Sequence, residues 1–115
     1  MKVRCQGAEL SDALAKVTKA LPVKRSNPIL DGVKIKAEGD VLTLFATDLE
    51  LAIEKKINAE VILEGECVVP GKLFADYAKK IEDEELELEL NQDHSLSVKY
   101  LDSEVKIKGY APDDY

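Results

Sequence analysis

The chain has 115 residues, 45% of them hydrophobic, with no tryptophan and a formal net charge of −7. That length suits one domain, residues 1–115, whose own core can hold it without a disulfide or a metal. No run approaches the roughly 20 apolar residues of a membrane span, no basic-then-apolar signal opens the chain, and the net negative charge opposes nucleic acid unless the positive charge is gathered on one face.

In chain order, Lys2-Val3-Arg4-Cys5 alternates as a short strand, and Gly7 breaks it. Leu10, Ala13, Leu14, Val17 and Leu21 then recur at helical spacing over Ala8 to Leu21. The opposite stripe of that helix holds Ala8, Asp12, Ala15 and Lys19, with Lys16 on its flank. Leu21-Pro22 ends the helix, and Lys24 and Arg25 fall in the polar loop that follows. Pro28 is expected to start a strand, since it cannot donate to a ladder. Val33, Ile35 and Ala37 alternate with polar residues, Glu38-Gly39-Asp40 turns the chain, and Val41 to Ala46 returns. Leu49 to Val61 has a period of two and predicts one long strand ending at Glu64-Gly65, with Lys55 the exception on its apolar face.

Glu66 to Val69 is the next short strand, and Pro70 suits a helix entry. Gly71 to Ile81 carries Phe74, Tyr77, Ala78 and Ile81 on one face. Lys72, Asp76 and Lys79 lie opposite, with Lys80 on the flank. Leu86, Leu88 and Leu90 alternate with glutamates, then Leu96, Val98 and Tyr100 alternate, then Val105 and Ile107. Gly109 to Tyr115 reads as a polar, acidic tail.

The second half repeats the first. A shift of 64 carries Leu10 onto Phe74, Asp12 onto Asp76, Lys16 onto Lys80 and Val17 onto Ile81. A shift of 54 carries Leu42, Leu44, Asp48, Leu51 and Ile53 onto Leu96, Val98, Asp102, Val105 and Ile107. The fold class is therefore α+β, an internally duplicated β-α-β-β-β. Neither half can bury its helix stripe and sheet face alone, so the helices should lie side by side against antiparallel strands.

Met1-Lys2-Val3, Leu10 to Lys19, Asn27-Pro28-Ile29-Leu30, Leu42-Thr43-Leu44, Thr47-Asp48-Leu49-Glu50-Leu51, Val68-Val69-Pro70, Lys72-Leu73-Phe74 and Asp114-Tyr115 together resemble the N-terminal domain of the bacterial DNA polymerase III beta subunit, the sliding clamp. The resemblance implies a DNA-clamp domain, the first of three, in a ring of six domains from two chains that encircles duplex DNA and confers processivity on the replicative polymerase. It implies helices lining the hole, a non-catalytic role without cofactors, and a cytoplasmic setting. Polymerase and clamp loader would bind through domains absent here. Charge patterning alone reads Lys16, Lys19, Lys72, Lys79 and Lys80 as a solvated helix face; the resemblance makes them DNA-facing. It gives the same role to Lys24 or Arg25, of which Lys24 aligns by its distance from Pro28. It also implies a ring interface to the third domain of a second chain through Leu73, Tyr77, Val105 and Ile107, where an edge strand offers unpaired backbone groups. As one domain the chain cannot encircle DNA, and weak binding to duplex is expected. The alternative is a stand-alone clamp-fold module that binds protein without tethering DNA.

An enzyme finds no support. His94 is the only histidine and sits in a polar turn. Glycine-rich phosphate loops and nucleophile motifs are absent. Glu85, Glu87 and Glu89 alternate toward solvent rather than converging on an ion. Cys5 and Cys67 lie in apolar runs and read as buried, reduced thiols.

Overall fold

The computed structural model describes residues 1–21 and 31–111. The elements are β1 (Lys2–Gln6), α1 (Gly7–Val17), a 3-10 turn (Thr18–Ala20), β2 (Gly32–Glu38), β3 (Val41–Thr47), β4 (Ala52–Asn58), β5 (Glu60–Leu63), β6 (Gly65–Pro70), α2 (Gly71–Lys80), β7 (Glu85–Leu90), β8 (Leu96–Tyr100) and β9 (Ser103–Ile107). The expected strand start at Pro28 and the loop with Lys24 and Arg25 lie outside the described residues.

The two halves exchange their first strands. One sheet has the order β5-β1-β7-β8-β9, the other β4-β3-β2-β6. So β1, from the first half, pairs with β7 of the second, and β6, from the second, pairs with β2 of the first. All pairings are antiparallel. Both helices pack against each other on the inner side of the sheets. Leu10, Leu14 and Phe74 from the helices meet Ile35, Leu44 and Leu88 from the strands in one fully buried cluster. The expected duplication is thus the fold, in the form of two interlocked halves.

The helix starts are pseudo-equivalent and tight. Gly7 donates its N–H to the Glu84 carbonyl at 2.8 Å. A Cβ at Gly7 would stand 2.6 Å from the carbonyl oxygens of Glu84 and Ile81. At Gly71 it would stand 2.7 Å from Val33 Cγ2 and 2.8 Å from Leu21 Cδ1. Glycine is what lets each helix begin against the other half. Helix α1 ends at Val17, shorter than its apolar spacing predicts; Thr18 Oγ1 donates back to the Leu14 carbonyl at 2.7 Å, and the last turn tightens to 3-10.

The predicted long strand is two strands in two sheets. Its first residues are not strand at all. Asp48 Oδ1 accepts the N–H groups of Glu50 and Leu51 at 2.9 and 2.7 Å, and Thr47 Oγ1 donates to the Leu51 carbonyl at 2.9 Å. Asp48's carboxyl is held below its usual range by the Leu51 and Glu50 amides. This turn places Leu49 at φ 79, in the left-handed region, and leaves Leu49 and Leu51 78% and 51% exposed. The second break is at Ala59, whose N–H donates to the Asp40 carbonyl at 3.0 Å where the chain passes from one sheet to the other. Alternation survives the corner because both sheets turn the same side toward the helices.

The start of the tail, as far as it is described, also has structure. Tyr110 bridges Val68 of β6, donating its N–H to the Val68 carbonyl at 2.8 Å. It does for β6 what β5 does for β1, and so completes the pseudo-symmetry. Cys5 and Cys67 are buried and unbridged, and burial pushes both thiols up to about 12.

Gly7→Ala should lower the unfolding free energy by about 1–3 kcal/mol, because the clash is with backbone carbonyls that cannot swing aside. Urea denaturation measures it; an unchanged midpoint would mean that the helix start has slack.

Candidate nucleic-acid interface

The outer stripes of α1 and α2 lie on one side of the molecule, opposite the sheets. Lys16, Lys19, Lys72, Lys79 and Lys80 are all exposed there, as sequence periodicity predicts. They share that side with Glu9, Asp12 and Asp76, so the helical segments carry five lysines against three carboxylates in a chain whose total is −7.

The cations are not equivalent. Lys16 Nζ contacts Asp12 Oδ2 at 2.9 Å, one helical turn away. The hydrogen bond and charge of Lys16 hold Asp12's carboxyl below its usual range. Both side chains are in water, where such an i,i+4 pair is screened and weak, so a phosphate can compete for Lys16. Lys79 and Lys80 sit in the last turn of α2, where cations also suit the helix dipole. Lys19 extends from the 3-10 turn, off the end of α1.

Periodicity alone passes over one further cation. Lys55 stands opposite Leu44 on the helix-facing side of β4, and its charge reaches Asp12. On an edge strand beside α1 this position is only half-buried, so a lysine stem can lie along the helix while its ammonium emerges beside the stripe. The signal is the one polar residue on the apolar face of Leu49 to Val61.

At the far end of the other sheet, β9 is an edge strand with no partner beyond it among the described residues. Of the four residues expected at a ring interface there, Leu73 is 57% exposed and Val105 is half-buried. Tyr77 packs edge-on against Tyr100, with ring centroids 6.2 Å apart and hydroxyls 3.2 Å apart. Ile107 is different: it is 3% exposed and belongs to the core, because the period of two that places Val105 inward places Ile107 deeper under the helices. It offers a neighbour its backbone, not its side chain.

The remaining candidates stay apart. His94 is exposed in the β7–β8 turn at φ 66. Glu87 pairs with Arg4 at 3.4 Å, and Glu89 with Lys99 at 2.8 Å, so these glutamates of β7 are engaged in cross-strand ion pairs. Among the described residues no three histidine, cysteine or acidic side chains converge on a metal position, and no helix is long and apolar enough to cross a membrane.

Two interlocked β-α-β-β-β halves, with paired helices opposite two sheets and an open edge strand, define a clamp-type α+β domain. The profile of the DNA polymerase III beta subunit, N-terminal domain, matches residues 1–115, and the chain belongs to that family. It is similar to the beta sliding clamp of Staphylococcus epidermidis, 33% identical over 115 residues that cover 93% of this chain and 29% of that protein. It is also similar to that of Synechocystis, 28% identical over 100% of this chain and 32% of that protein. The DNA polymerase sliding clamp from Caulobacter crescentus superposes with a TM-score of 0.93 at 25% identity, covering 100% of this chain and 32% of that one. The sliding clamp of Bacillus subtilis shares the fold at a TM-score of 0.94 and 24% identity. The chain spans about a third of the length of these relatives.

Burial first, then the hydrogen bond to Tyr100, raise the Tyr77 phenol to about 12. A folded value above the unfolded one of roughly 10 means that this contribution to stability is complete below pH 10 and is lost as pH rises toward 12. Tyr100→Phe should therefore bring the absorbance titration of Tyr77 to lower pH and flatten the loss of thermal stability between pH 10 and 11.5. Identical titrations in both proteins would show that the hydroxyl pair does not form in solution.

Proposed function

We propose that this chain is the first domain of a ring-shaped sliding clamp, a non-catalytic processivity factor that encircles duplex DNA in the cytoplasm. Residues 1–115 act as a single clamp domain, and two further domains complete each ring subunit. The observation that carries the reading is the concentration of positive charge on the paired helices of an acidic chain that belongs throughout to the beta-subunit family.

A sliding surface has to hold phosphate without reading bases and release it quickly. Lysine suits this, being a mobile, strongly hydrated point charge on a flexible stem. Lys16, Lys19, Lys72, Lys79 and Lys80 contact the backbone of the duplex, with Lys55 beside them and Lys24 or Arg25 from the preceding loop. Asp12 and Asp76 moderate the field, which keeps contacts exchangeable. Net negative charge elsewhere discourages DNA from the outer surface. Topology rather than affinity then retains the ring. Its closure runs through the β9 edge, with Leu73, Tyr77 and Val105 as side-chain contacts to the third domain of a second chain. Polymerase and clamp loader engage the other domains.

Two measurements test this. Fluorescence anisotropy with a short duplex should show weak binding that falls steeply with salt. Lys79→Glu with Lys80→Glu should weaken it severalfold and flatten the salt slope by roughly one for each phosphate no longer neutralised, whereas Asp12→Asn should strengthen it. Tight binding that ignores salt would contradict the reading. Sedimentation velocity with a separately produced third domain of the same full-length clamp should give a one-to-one complex, abolished in Leu73→Glu. That variant changes an exposed residue, so the fold survives. Absence of any complex at high concentration would favour a stand-alone module of the same fold.

A further inference from the structure

The outer face of the five-stranded sheet carries one transverse row of charges that alternates in sign across every strand. Glu60 of β5 stands opposite Arg4 of β1, Arg4 opposite Glu87 of β7, Glu87 opposite Lys99 of β8, and Lys99 opposite Glu104 of β9. Ion pairs run along it: Arg4 Nε to Glu87 Oε1 at 3.4 Å, and Lys99 Nζ to Glu87 Oε2 at 3.9 Å. The next row reads Lys2, Glu89, Ser97 and Lys106, with Lys99 reaching across to Glu89 at 2.8 Å. Both rows run out at the open edge, the first on a carboxylate and the second on an ammonium.

Cross-strand neighbours of opposite charge favour a pairing, and like charges directly opposite each other oppose it. A strand joining β9 would add one further rung to both rows. We propose that the third-domain strand that joins β9 carries a basic side chain opposite Glu104 and an acidic one opposite Lys106, so that the charge ladder of this sheet continues across the ring interface. The inference rests on the ring reading and adds the chemistry of the partner. The two charges fix register as well as partner. A slip by two residues sets base against Lys106 or acid against Glu104, and a slip by one turns the charged side chains to the core face. The backbone of β9 supplies adhesion, and the ladder supplies the choice among strands that could all form the same hydrogen bonds.

A second copy of this chain is the competing occupant. Its own edge strand β4 presents Glu54 and Lys56 at the same spacing, both exposed, and would also match Glu104 and Lys106 if paired antiparallel. The experiment separates the two. Residues 1–115 are titrated with the third domain of the same full-length clamp and followed by sedimentation velocity. The variants are Glu104→Lys, Lys106→Glu, and Glu104→Lys with Lys56→Glu. Glu104 and Lys106 are exposed, so each variant keeps the fold, which circular dichroism checks. Each single reversal should weaken the complex roughly fivefold to tenfold, the scale of replacing one favourable cross-strand pair by a repulsive one. The loss should shrink at high salt. Reversing the facing charge on the third domain should restore binding to Glu104→Lys. A complex that forms with unchanged or greater affinity in Glu104→Lys overturns the ladder while leaving the ring reading intact. No complex with the unaltered chain overturns the ring reading and the ladder with it. Self-association of the chain alone, abolished in Glu104→Lys and regained with Lys56→Glu, would make the second copy the occupant and overturn the third-domain assignment.

Discussion

Neither half of this chain can close a sheet by itself. β1 leaves its own half to lie beside β7, and β6 leaves its half to lie beside β2, so each sheet is built around a strand borrowed across the duplication. The helix that follows each borrowed strand is thereby fixed over the junction, and the two helices must meet. Gly7 and Gly71 mark where that meeting is tightest. Everything that bears on function depends on this exchange: the shared side of the helices, the common core beneath them, and the opposite placement of the open edges.

Charge is sorted by the same constraint. The helices bring five lysines to one side, although the chain as a whole is acidic. The five-stranded sheet carries acidic and basic side chains in alternation on its outer face, where they neutralise one another across strands. One sequence therefore yields a surface with a positive excess suited to phosphate and another that is balanced and directional. In the proposed function the first would meet duplex backbone without reading its sequence, and in the proposed ladder the second would select the strand that joins β9.

Exposed apolar residues fall where this division leaves them. Leu73 is exposed on α2, while Leu49 and Leu101 occupy turns at positive φ, held by hydrogen bonding and chain reversal rather than by packing. Leu49 is instructive, because its placement in a strand rests on its spacing from Leu51 and Ile53. The Thr47-Asp48 side chains capture the local backbone amides first, and that local competition wins over the strand pattern.

The sequence by itself determined the periods, and with them the two helices, nearly all the strands, the inward face of each and the repeat at shifts of 64 and 54. Period reports which way a side chain faces, and that depends only on neighbours in the chain. It also singled out the lysine stripes, and Lys55 as an exception without a role. The tertiary structure decided which strand lies beside which. Pairing is a nonlocal choice, made by burying two incomplete halves against each other, and no window of sequence contains it. Hence the split of Leu49 to Val61 between two sheets, the burial of Ile107, the joining of Tyr110 to β6, and the row from Glu60 to Glu104, whose five members are scattered through the chain and meet only in the folded sheet.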